Sequence, residues 1–146
     1  MKKIISSLIG GITGAAALNL LHQVYQRFDQ EAPQVDLIGE EGLSKLIEKT
    51  GRQAPGGDKL FAATIAADLI SNAAYYSLIG LSKKKHLLRA GAATGLAAGI
   101  GALTLTKPLG LSDAPVTRTG KTKWLTVAWY TFGGLVAGSV IKVIRT

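Results

Sequence analysis

Apolar residues fall into four long blocks, Ile4 to about Tyr25, Leu60 to Leu81, Leu87 to about Thr106 and Trp124 to about Ile144, separated by segments rich in charge, glycine or proline. Each block approaches the roughly 20 residues that an α-helix needs to cross a hydrocarbon core about 30 Å thick, a length unusual for a buried helix of a soluble protein. The pattern therefore predicts an all-α fold, an integral membrane bundle of four transmembrane helices forming one membrane domain over residues 1–146. Within the polar first connection, Leu37, Ile38, Leu43, Leu46 and Ile47 share a face over about residues 36–50, and Gly51 follows as a stop. This segment is too short to span, and it reads as an extra amphipathic helix that lies on the membrane or caps the bundle. Asp58 is placed to N-cap the second span. Ser82-Lys-Lys-Lys-His86 reads as a tight hairpin that makes the second and third spans antiparallel neighbours.

The basic start, the apolar run and Ala15-Ala16-Ala17 also fit a cleavable signal peptide. The helical pattern nonetheless continues unbroken through Leu18, Leu20, Leu21, Val24 and Tyr25, so an uncleaved first span is expected.

Small residues repeat at helix-packing intervals. Gly10 and Gly14 form a GxxxG pair in the first span, Gly91, Gly95 and Gly99 recur every fourth residue in the third, and Gly134 and Gly138 form a pair in the fourth. Such spacing lets backbones approach closely, the main means of helix association where no hydrophobic effect separates leucine from lipid. The third span's bare face demands another helix, and the first or fourth span offers the complementary surface. Trp124, Trp129 and Tyr130 open the last span as an interfacial aromatic belt.

One acid interrupts the second block. Asp68 shares a helical face with Asn72, Tyr75 and Tyr76, while Asn19, His22 and Gln23 share a face near the outer end of the first span. An ionisable side chain in a span costs roughly 2.5–3.5 kcal/mol on insertion scales, so it normally faces a helix or water rather than lipid. Asp68, Asn72, Asn19 and His22 are therefore the candidate intramembrane polar site. His22 and His86 belong to opposite ends of the bundle, so no metal site is expected, and no cofactor is implied.

The formal charge of +8 does not indicate nucleic acid, because the bases sit at block ends rather than on one face with stacking aromatics. Lys2, Lys3, Lys83, Lys84, Lys85, Arg89, Lys142 and Arg145 gather at one set of ends, and the acid-rich first connection belongs to the other. By the positive-inside rule, both termini are cytoplasmic in a multi-pass protein. With no cysteine, a disulfide framework and thiol chemistry are excluded.

The early small-residue span, the long polar first connection containing a proline, and the loop Pro108-Leu-Gly-Leu-Ser-Asp-Ala-Pro115 leading into an aromatic last span together resemble the YagU-like bacterial inner-membrane proteins. The resemblance covers layout over most of the chain and identity over that loop. It implies a bacterial inner (plasma) membrane location and transfers no functional residue.

No Ser-His-Asp order, HExxH, phosphate loop or paired-carboxylate motif stands near the membrane, so no enzyme is expected. The leading expectation is a small non-enzymatic membrane protein that packs or forms complexes through its glycine faces, with the lipid bilayer and a second copy or another membrane protein as partners. The alternative is a small channel or an ion- or proton-coupled transporter that uses Asp68. The two differ in whether Asp68 is satisfied by a neighbouring helix or opens on a cavity.

Overall fold

Helix boundaries are decided by caps and glycines rather than by the ends of apolar blocks. In the computed structural model, which describes residues 1–146, the elements are α1 (Lys2–Tyr25), α2 (Val35–Glu48), α3 (Gly57–Ser77), α4 (Leu87–Thr104), α5 (Ala114–Thr117) and α6 (Gly120–Ile144), with no strand. Two 3-10 turns, Leu78–Leu81 and Lys84–His86, join α3 to α4. The last span begins four residues before Trp124 because the Thr119 hydroxyl accepts the Thr122 backbone N–H at 3.1 Å. Asp58 is not the N-cap of α3. That place belongs to Gly56, and Gly57 enters the helix at φ +56°, a left-handed conformation that glycine adopts without strain, leaving Asp58 in the first turn.

Three helices are long and apolar enough to cross a membrane, Lys2–Tyr25, Lys84–Thr104 and Gly120–Ile144. The 21 residues of α3 reach about 31 Å at 1.5 Å per residue, but Asp58, Lys59, Asp68 and Asn72 among its alanines leave it outside that group.

Packing centres on α6. Gly91, Gly95 and Gly99 of α4 are buried against it, and a Cβ added at Gly91 meets the Gly134 carbonyl, one at Gly95 the Tyr130 carbonyl, and one at Gly99 the Val127 Cα. The register runs antiparallel. On another face of α6, Gly10 of α1 meets Ala137 and Ile141 while Gly14 meets Gly133 and Ala137, again antiparallel. Gly11 of α1 abuts Ala73 and Ser77 of α3. The expected pairing of the second and third spans is therefore corrected: α4 packs on α6, and Tyr75 of α3 reaches α4 through its hydroxyl, which donates to the Thr94 carbonyl at 3.0 Å. The reason is steric. The glycine face of α4 fits only a partner whose own surface is nearly backbone, which α6 supplies at Gly134 and Gly138.

Bulky residues close the centre. Tyr76 is fully buried, its hydroxyl donating to the Tyr130 carbonyl at 2.8 Å and its ring lying against Gly133. The aromatic belt is also corrected, because Trp124 alone is exposed, at 77%, whereas Trp129 and Tyr130 turn inward with ring centroids 4.9 and 5.9 Å from that of His22.

Arginines tie the two ends. Arg145 donates to the Ser6 and Ser7 hydroxyls at 2.8 and 2.9 Å and to the Gly80 and Lys3 carbonyls at 2.8 and 3.1 Å, binding the start of α1, the α3–α4 turn and the end of α6. At the opposite end Arg118 donates to Gln34 Oε1, the Gln30 carbonyl and the Ala32 carbonyl, and Lys121 pairs with Asp29 at 2.7 Å and Glu31 at 3.6 Å.

Candidate functional site

The polar residues of α1 and α3 converge because the two helices pack antiparallel at Gly11, which sets the outer half of α1 beside the first half of α3. Asn19, His22 and Gln23 of α1, Asp36 of α2, and Thr64 and Asp68 of α3 line a cavity of about 10 Å³, room for one water molecule. Asn72, one turn deeper on the same face of α3, borders a neighbouring groove instead. Of the four residues expected to form one site, Asn19, His22 and Asp68 share this cavity, and Asn72 does not.

Asp68 and Thr64 also border a much larger space. A cleft of about 550 Å³ runs beneath α2, with Ile38, Leu43 and Leu46 as roof, Ala67 and Ser71 on the α3 wall, Ala102 and Thr106 opposite, and Tyr130 at the base. It adjoins an open surface groove of about 390 Å³ between α3 and α4 that shares Ser71, Ala102 and Tyr130 and adds Asn72, Tyr75, Ala97 and Ala98. The cleft exists because α4 has followed α6 and left α3 behind.

No hydrogen bond or ion pair closes on the Asp68 carboxylate. Asn19 and Asn72 stand within interaction range of it, yet Asn19 Nδ2 donates to the Ala15 carbonyl at 3.3 Å and Asn72 Nδ2, in a residue 9% exposed, has no partner within the protein. Thr64 Oγ1 and His22 Nε2, in residues 2% and 4% exposed, are likewise buried without a protein partner. Buried polar groups are ordinarily hydrogen-bonded, so the unpaired atoms around this carboxylate single it out as the candidate site, and the small cavity among them has room for a bridging water.

The roof is held by polar ties rather than by burial. No residue of α2 is fully buried, and Leu37 and Leu46 of its apolar face are exposed. Gln26 Nε2 donates to Asp36 Oδ1 at 2.8 Å near the start of α2. Glu41 accepts from the Ser112 N–H at 2.9 Å and from Lys45 at 2.6 Å, and Lys45 also reaches the Gly110 carbonyl at 2.6 Å. Those contacts, the Lys45 ammonium first, hold the Glu41 carboxyl below its ordinary range.

Thr64, Asp36 and Tyr130 are not among the expected site residues. Thr64 was within reach, standing four residues before Asp68 on the same face as Asn72, whereas Asp36 arrives by the fold of a connection and Tyr130 carried the signature of an interfacial aromatic. The glycines read as packing residues all lie inside the chain: Gly10 and Gly14 face α6, and Gly91, Gly95 and Gly99 face Gly134, Gly138 and their neighbours.

No family model, curated protein or solved structure matches this chain.

Proposed function

We propose that the protein is a small, non-enzymatic integral membrane protein of the bacterial inner membrane in which α1, α3, α4 and α6 all span, α2 caps the outer end, and Asp68 serves a binding step in the passage of a proton or another cation. The observation that carries this reading is the position of Asp68, whose carboxylate takes no direct hydrogen bond or ion pair, has Asn19 of α1 and Asn72 as its polar neighbours, and forms part of the wall of a 550 Å³ cleft. An acid retained only to hold helices in register would be expected to engage a partner helix directly.

The alternative emphasis, assembly with a second copy or another membrane protein through glycine faces, is less favoured, since those faces are already occupied within one chain. An assembly would have to use other surfaces. The layout resembling YagU-like proteins and the basic residues gathered around Arg145 support an inner-membrane protein with both termini cytoplasmic.

Asp68→Asn provides the test because it keeps hydrogen-bonding capacity and removes the titratable proton. The titratable groups facing Asp68 are His22 of α1, Asp36 of α2, Tyr76 of α3 and Tyr130 of α6. Purified protein in liposomes is expected to carry a pH-dependent flux of protons or cations that Asp68→Asn abolishes while folding normally. Wild-type protein that moves neither at any pH would leave Asp68 a structural acid.

A further inference from the structure

We propose that the cleft beneath α2 binds a hydrophobic organic cation, with its charge against Asp68 and its apolar body between α2 and α4. The inference rests on the reading of Asp68 as a binding group and names the chemical class it takes.

Size is the first argument. A 550 Å³ cleft lies in the range of small-molecule sites, and the adjoining open groove of 390 Å³ extends it along α3. A bare metal ion needs a tight shell of oxygens to replace its hydration, and this space is far too wide and too apolar to supply one. Charge is the second argument. Asp68 is the one charged side chain lining either the cleft or the groove, and no lysine, arginine or histidine borders them, so the lining attracts cations and offers an anion no counter-charge. The third argument concerns the walls. Ile38, Leu43, Leu46, Ala67 and Ala102 present apolar surface, while Tyr130 borders both cleft and groove and Tyr75 the groove, supplying aromatic rings of the kind that attract alkylated or arylated cations. Thr64 lines the cleft and Asn72 the adjoining groove, the polar residues on either side of the carboxylate.

The way in follows from the helix arrangement. Between α3 and α4 the groove is lined by Ala97, Ala98 and Gly101 and opens to the protein surface, a surface that faces lipid if α3 and α4 both span, and hydrophobic cations partition into lipid from water. A lipid acyl chain would fill the apolar part equally well but has nothing to match the carboxylate.

Tetraphenylphosphonium, which carries a permanent charge, is the probe, and triphenylphosphine oxide the neutral control. Titration calorimetry on the full chain in detergent is expected to show saturable one-to-one binding of the cation and none of the control. Removing one partner of a desolvated charge pair commonly costs more than a factor of about ten, and Asp68→Asn should weaken binding by at least that much. Ala67→Leu, which thickens the cleft wall without touching the carboxylate, should weaken it as well, and it decides the matter should Asp68→Asn fail to fold. Equal binding by wild type and Asp68→Asn, or binding of the neutral control as tight as the cation, overturns the proposal. If the phosphonium does not bind while Asp68→Asn still abolishes proton or sodium flux, the organic-cation inference alone falls; if the flux is absent too, the binding role of Asp68 falls with it.

Discussion

At the scale of single residues, two arginines do work that their sequence positions disguise. Arg145 stands where a flanking positive charge is expected, yet its guanidinium meets two hydroxyls and two carbonyls at 2.8–3.1 Å and is not committed to an ion pair. A planar fork with five donors can satisfy these four acceptors from α1 and the α3–α4 turn at once, more than the three donors of an ammonium can reach. Arg145→Ala is therefore expected to lower stability in a detergent unfolding titration by about 2–3 kcal/mol, the size of one or two hydrogen bonds to a charged donor, and Arg145→Lys should recover less than half of that. A loss no larger than that of the exposed Lys142→Ala would show that only charge matters at this end.

At the scale of elements, the pairing of α4 with α6 is a contact of backbone on backbone. A Cβ at Gly95 would meet the Tyr130 carbonyl and the Thr131 Cα, so Gly95→Leu must part the helices, at a cost of about 1–3 kcal/mol from overpacking. Gly120→Ala, where nothing lies within 4 Å of the added atom, should be neutral or slightly stabilising, and the two together separate packing from any general intolerance of larger residues. Thermal melts in detergent read both. Between the first connection and α6 the tie is electrostatic: the Lys121 ammonium, followed by the Glu31 backbone N–H, holds the Asp29 carboxyl below its ordinary range. A depressed carboxyl stabilises the fold above its unfolded value, near 3.9, and loses that contribution as pH falls through the lowered one. The melting-temperature difference between wild type and Lys121→Gln should accordingly be present at pH 6 and vanish below the carboxylate range. A difference that survives at low pH would mean Lys121 acts through packing.

At the scale of the whole molecule, charge is sorted by end. The end tied by Arg145 carries Lys2, Lys3, Lys83, Lys84, Lys85, Arg89, Lys142 and Arg145 and no acid. At the other end three bases of the last loop have partners, Lys121 on Asp29 and Glu31, Lys107 on Asp113 at 3.7 Å, and Arg118 on the carbonyls of the first connection. With Lys123 they still count toward that end, so the bias in favour of the Arg145 end is one of eight bases against four in this loop. The absence of cysteine makes the orientation directly measurable. In intact cells a membrane-impermeant maleimide should label Glu48→Cys and leave Lys84→Cys unlabelled; the reverse pattern would place the termini outside.

What the sequence by itself determined is whatever depends on a residue and its near neighbours. Four apolar blocks, the turn at Gly51, the bare face of Gly91, Gly95 and Gly99, and the isolation of Asp68 among apolar residues are all local facts, set by spacing along a helix and by the cost of an acid away from water. Which helix covers which face is not local. Chain order favoured α3 beside α4, but backbone contact with Gly134 and Gly138 drew α4 onto α6, and that choice opened the cleft and turned Trp129 and Tyr130 inward onto His22. Asp36 and Tyr130 reach the vicinity of Asp68 from two other elements, a convergence fixed by close packing in three dimensions rather than by their separation along the chain.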